Sequence, residues 1–275
     1  MVNILVLPVL EITVVGVLSG LVGVFAVLNR RVFFSESITH GTFPGAVLGV
    51  VVGNTFFELG HHGLSLTLMI GALAMCVPLS WLMHRLAIVP GISAQSAAGT
   101  VLTLGFALGY FLSTWFKPLP LKIENFLAGS LLNANLMDLG VASAVLSGAV
   151  LVVAVHGKFL IFHCFDPGGF RAAGHRSARA ESMILSLICL TSVAVIPAVG
   201  TILSIALLVA PAAGLLPLCA SARMLLITAP LAGAGIGVSG LALAVVMDLS
   251  AGGTIAVIAG IFYLFCLLLA KRQRN

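Results

Sequence analysis

Apolar residues run through this chain in long, nearly unbroken stretches, with polar residues gathered between them. Nine such windows can be drawn, near 8–28, 37–54, 64–83, 94–115, 136–155, 182–199, 201–218, 224–247 and 252–270. A bilayer crossing takes ~20 residues in a helix, so the pattern predicts an all-α polytopic membrane protein with about nine transmembrane helices. Pro197 and Gly200 mark either a loop between two windows or a break within one long segment, which makes eight the alternative. Membrane helices tolerate Pro and Gly where neighbours re-satisfy the backbone.

Composition closes off the other solvents. Of 275 residues, 60% are hydrophobic, 30 are Gly and only 8% are charged, against about 25% charged in a soluble domain. With a mean hydropathy of +1.22, the chain is expected to form one transmembrane domain over 1–275, with no large catalytic domain outside the membrane. The net charge of +5 is carried by dispersed residues, not by the dense basic face that nucleic acid requires. Cys76, Cys164, Cys189, Cys219 and Cys266 include no Cys-x-x-Cys pair, so no zinc ribbon or redox motif is indicated and packing roles are expected. The first basic residue is Arg30, so the first window reads as a retained helix rather than a signal peptide.

Charge position then orients the windows. With Arg30 and Arg31 inside and sides alternating, Arg85, Lys158, Arg171, Arg176, Arg179, Arg223, Lys271, Arg272 and Arg274 also fall inside, and Lys117 and Lys122 fall outside. This positive-inside bias puts the N-terminus outside and the C-terminus in the cytoplasm. Residues 116–135, with Pro118, Pro120 and a semi-apolar run from Phe126 to Leu132, read as an external loop carrying a short surface helix. Residues 156–181 read as the one large cytoplasmic segment.

Enzyme motifs are missing from the sequence: no Gly-x-x-x-x-Gly-Lys-Ser/Thr loop, no His-Glu-x-x-His and no Gly-x-Ser-x-Gly. Chemistry concentrates instead in the second window. Gly41, Gly45, Gly49 and Gly53 recur every fourth residue, a small-residue ladder that lets helix backbones approach closely in lipid. Glu36 and His40 lie one turn apart and share a helix face. Ionisable groups in membrane segments line pathways or pair with each other, and a carboxylate with an imidazole suits a divalent transition metal. The alternative is that Glu36 lies in water and only hydrogen-bonds His40. His61 and His62, beside Glu58, read as a solvated external cluster or a weak metal-attracting mouth. Glu11 reads as interfacial. Asp248, Ser250, Gly252 and Gly253 read as a tight external turn.

These elements resemble, in order and over nearly the whole chain, the membrane permeases of manganese, zinc and iron ABC importers. That family carries Asp, Ser-His and Leu-Pro-Gly in its second segment, where this chain has Glu36, Thr39-His40 and Phe43-Pro44-Gly45. Its later Gly-Thr-Leu and Pro-Ala-Ala elements resemble Gly200-Thr201-Ile202-Leu203 and Pro211-Ala212-Ala213, and its Asp-x-Pro-x-Gly resembles Asp248, Ser250 and Gly252. Its internal Asp-Pro loop with a Gly eight residues on resembles Asp166, Pro167 and Gly174, and its external Leu-Phe-Gly element resembles the run from Phe126 to Leu132. The departures are Glu36 for Asp, Thr39 for Ser, Ser250 for Pro, and Gly169-Phe170 where Phe-Ala is usual.

The resemblance implies the all-helical permease fold shared with cobalamin and siderophore importers. It implies a homodimer in the bacterial plasma membrane, a cytoplasmic ATPase dimer, and an external metal-binding lipoprotein or periplasmic protein. No cofactor would be held permanently; the divalent metal is the transported substrate, held in passing by Glu36 and His40. Asp166, Pro167, Phe170, Ala173 and Gly174 would form the helix that docks on the ATPase, with Phe170, Ala172 and Ala173 as its apolar patch. The competing expectation is a secondary transporter in which Glu36 and His40 relay protons, although no repeat relates the two halves as that class often shows.

Overall fold

The computed structural model describes residues 2–57, 61–119, 129, 131 and 135–274. Its helices are α1 (Val2–Leu28), α2 (Val32–Gly41), α3 (Phe43–Phe57), α4 (His61–Ala87), α5 (Ala94–Trp115), α6 (Leu136–Phe165), α7 (Pro167–Ala172), α8 (Ser177–Val199), α9 (Thr201–Leu215), α10 (Ala222–Met247) and α11 (Ala251–Arg274). Among the described residues, seven helices are long and apolar enough to cross a membrane: α1, α4, α5, α6, α8, α10 and α11. Their outward side chains are apolar: Val246 is 82% exposed and Leu151 64%, values that suit lipid and would cost heavily in water.

Two of the nine windows are built from shorter pieces. Window 37–54 is divided between α2 and α3 at Thr42, and window 201–218 is the 15-residue α9. The segment 182–218 is indeed two helices, parted at Gly200, whose φ of +81° is cheap only for glycine. A side chain on Gly129 would run into the Gly200 amide, so the break is also crowded from outside.

The segment 156–181 differs from the expected loop. Residues 156–165 continue α6, and only about ten of the remainder separate it from α8. Hydropathy falls at His156 and Lys158, yet nothing there breaks a helix, and α6 runs on until Asp166 caps it. At 30 residues it is about 45 Å long, longer than a ~30 Å hydrocarbon layer needs.

The chain forms two compact units, Met1–Arg31 with Gly129–Asn275, and Val32–Ala128. In the first, α1 lies antiparallel to α10 through backbone-close pairs: a Cβ on Gly16 would fall 2.7 Å from the Gly233 carbonyl carbon, and one on Gly20 would fall 2.7 Å from Pro230 Cα. Val24, Ala212, Leu225 and Ala229 close the core where α1 and α9 end and α10 begins. Glu11 is buried here, 2% exposed, with Oε2 lacking a hydrogen-bond partner. That corrects the interfacial expectation: early position in α1 does not mean exposure, because neighbouring helices cover that turn. In the second unit, α3 packs on α4, and α2 packs on α5.

Candidate metal path and docking helix

α2 begins directly after Arg31 and carries hydroxyls that bond back onto the backbone. Ser37 Oγ lies 2.8 Å from the Phe33 carbonyl and 2.7 Å from that of Ala98 on α5, and Thr39 Oγ donates to Ser35 O at 2.8 Å. Such bonds satisfy polar groups locally, as lipid requires. Phe34, Ser35, Ser37, Ile38, Thr39 and Gly41 are buried. Phe33 is exposed, and Glu36 and His40 are partly so. The accessible stripe of α2 is therefore the one that carries both candidate ligands.

His40 is held in a defined way. Its Nδ1 lies 3.2 Å from the Glu36 carbonyl, an acceptor only, to which the tautomer protonated at Nδ1 donates. Neutral imidazole then presents the Nε2 lone pair, the form that binds metal. Phe106 on α5 stands 6.2 Å from the imidazole, ring to ring, and itself packs on Phe43. Four residues beyond His40, Pro44 has no N–H to give the His40 carbonyl, and here α2 passes into α3.

The glycine ladder faces the chain's own helices. A methyl on Gly41 would meet Leu79 at 3.0 Å, and one on Gly105 would stand 2.6 Å from Gly41 Cα. Gly45 and Gly49 abut α4 at Gly71 and Thr67; a methyl on Gly71 would come 2.9 Å from Gly49 Cα. Gly53 meets the Thr67 side chain. The ladder thus fixes α2 and α3 against α4 and α5, while Glu36 and His40 stay partly exposed, with Phe106 of α5 beside the His40 ring.

Among the described residues, no three His, Cys, Asp or Glu side chains converge to hold a metal ion. Glu36 and His40 can supply two ligands at most. The possible mouth at Glu58, His61 and His62 and most of the surface element 126–132 lie outside the described residues or side chains. Asp248 takes the left-handed conformation, φ +52°, between α10 and α11, with Leu249 N donating to Ala244 O at 2.9 Å. This is a helix-ending turn.

The second arrangement is α7, six residues capped at both ends by its own sequence. Asp166 Oδ1 accepts from Gly169 N at 2.8 Å, and Pro167 opens the helix, where its missing N–H costs nothing. At the other end Gly174, φ +82°, closes a Schellman turn: Gly174 N donates to Arg171 O at 3.0 Å and His175 N to Phe170 O at 3.2 Å. The Asp-Pro start and the Gly eight residues later therefore have a physical meaning.

Phe170 departs from its expected role. It is fully buried, with ring centroids of Phe159 at 4.8 Å, Phe162 at 5.5 Å, His163 at 5.0 Å and His175 at 5.0 Å. It anchors α7 to α6 and is not offered to a partner. Arg171, Ala172, Ala173 and Gly174 face outward. The aromatic cradle exists because α6 extends past its apolar window, which hydropathy hides.

An ion pair between Arg31 and Glu181 also escaped the sequence reading, which used Arg31 only as a marker of sidedness. An acid close in sequence to Arg176 and Arg179 was the available signal.

A family model described as the ABC 3 transport family matches residues 1–270. The chain belongs to that family. It is a multi-pass membrane permease subunit of an ABC transporter and is not itself an enzyme. Membership removes the proton-coupled secondary transporter. Relatives include the manganese import system permease protein ScaB of Streptococcus gordonii, 27% identical over 95% of this chain and 89% of that protein. Another is the zinc transport system membrane protein TroC of Treponema pallidum, 31% identical over 82% of this chain and 74% of that protein. Among solved structures, PsaBC from Streptococcus pneumoniae in complex with Fab aligns with a TM-score of 0.87 at 25% identity, over 99% of this chain and 94% of that one.

Proposed function

We propose that this ABC 3 family permease carries a divalent transition metal ion, Mn, Zn or Fe, into the bacterial cytoplasm. Two copies would form the pathway, each spanning the membrane nine times, with α2–α3 together and α9 counted as crossings, the N-terminus outside and the C-terminus inside. The fold would be that of the cobalamin and siderophore importer permeases. A cytoplasmic ATPase dimer would receive α7 of each copy in a groove, through Ala172, Ala173 and Gly174. An external binding protein would deliver the metal.

The observation that carries this reading is the Glu36–His40 stripe. Both side chains share one partly exposed stripe of α2, and with Nδ1 turned to Glu36 O the Nε2 edge of His40 is the one left for a metal. One copy brings two ligands, too few for a stable divalent site; two copies bring four. A transported ion must bind and then leave, so a shared, separable ligand set suits passage better than a closed cage. Glu36 with imidazole favours a borderline metal over calcium or magnesium.

The test is metal uptake by a deletion strain complemented with this chain, under depletion of Mn, Zn and Fe in turn. His40→Ala is expected to abolish uptake while the protein still inserts and holds its ATPase. Glu36→Asp, which keeps the carboxylate, is expected to support uptake. Wild-type uptake by His40→Ala would place the path elsewhere.

A further inference from the structure

Resting on the function proposed above, we propose that Arg31 is the coupling residue that makes the docking helix α7 and the metal-bearing helix α2 move together, while touching neither metal nor nucleotide. The backbone gives it no slack. α1 ends in a Schellman turn in which Arg30 takes φ +55° and donates to Val27 O at 3.1 Å, and Arg31 N donates to Ala26 O at 2.8 Å. α2 starts at the next residue, so a shift of Arg31 is a shift of the α2 entry, with Glu36 little more than one turn away.

The side chain faces the other way along the path. The Arg31 guanidinium pairs with Glu181 in the first turns of α8, a few residues after α7. His163 on α6 packs edge-on against Phe170 with centroids 5.0 Å apart. Phe170 is the buried anchor of α7. The four-residue connection from α7 into α8, then Glu181 and Arg31, thus form a series from the docking helix to the residue before α2, all within one compact unit.

Both partners of the ion pair are about one-third exposed, and such a pair adds little to folding stability. Its value lies in being a charged, directional link that can part and re-form as the helices move. Contiguity alone does not establish energetic coupling, and a charge-reversal cycle does.

The experiment uses the full transporter, this chain with its ATPase, in cells lacking their own importers and in proteoliposomes. The readouts are uptake of radiolabelled Mn(II) and Zn(II), ATPase co-purification and ATP hydrolysis. Arg31→Glu and Glu181→Arg, singly, are expected to lower uptake about tenfold or more, with co-purification retained and hydrolysis within about twofold of wild type; the double reversal is expected to recover uptake to within about threefold. A merely structural role would lower all three readouts together, and that result overturns the proposal. So does wild-type uptake in either single variant, or a double variant no better than the singles. If the reversed chains fail to insert, Arg31→Gln and Glu181→Gln replace them. A double Gln variant no worse than the worse single supports coupling, and losses that multiply as independent effects overturn it. A wild-type complex that moves neither metal refutes the proposed function itself, and this inference with it.

Discussion

Removing the Phe170 ring tests whether α7 is held by its anchor or by its own helicity. Six residues cannot sustain a helix in water, since nucleation is unfavourable and short helices are marginal. The caps at Asp166 and Gly174 shape α7 but do not fasten it to α6. Fastening comes from Phe170, fully buried against Phe159, Phe162, His163 and His175. Truncating a buried Phe to Ala costs about 3–5 kcal/mol. If ~3 kcal/mol falls on the docking equilibrium, the undocked population rises roughly a hundredfold at 1.36 kcal/mol per decade. Hydrogen–deuterium exchange on purified Phe170→Ala is the assay. The amides of Gly169, Phe170, Ala173, Gly174 and His175, all hydrogen-bonded in α7 and its caps, are expected to exchange roughly a hundredfold faster. Those of α1 and α10 should not change. Unaltered exchange in 169–175 would refute the anchor, and faster exchange throughout the bundle would refute its local character.

Gly49→Ala is expected to lower the melting temperature in detergent, at a cost of about 1–3 kcal/mol, because its methyl would meet the Thr67 backbone. Gly99→Ala, with open space around it, is expected to leave melting unchanged or raise it. Gly174→Ala has equally open surroundings but a φ of +82°, so it should cost about 1 kcal/mol and speed exchange only at the α7 end. Ala173→Glu, on the outward face of α7, should preserve insertion yet uncouple ATP hydrolysis from uptake in the full complex. The purified chain alone should hydrolyse no ATP, as a sequence without a phosphate loop requires.

What could be foreseen from the residues was local. Caps act within four or five positions, so Asp166, Pro167 and Gly174 announced a short helix whatever surrounded it. The ladder at Gly41, Gly45, Gly49 and Gly53 announced close backbone approach, but not that Leu79, Gly71, Thr67 and Gly105 would be its neighbours. Phe170 was misjudged because its partners lie on a part of α6 that hydropathy assigns to a loop. Glu11 was misjudged because burial is decided by helices far along the chain. Arg31 and Glu181 meet across 150 residues, a separation at which single-residue patterns carry no signal.

The pairing of α1 with α10 has a consequence for how the protein is made. α1 leaves the ribosome well before α10, yet its glycine face at Gly16 and Gly20 closes on Gly233, Ala229 and Pro230. At 5–20 residues per second, the roughly 200 intervening residues occupy the ribosome for about 10–40 s. Throughout that interval α1 stands in the membrane with this glycine face and the buried carboxyl of Glu11 still open to whatever adjoins them, and the whole of Val32–Ala128 is made before α10 arrives. The nascent permease therefore needs a sheltering neighbour in the insertion machinery for longer than it needs help to thread any one helix.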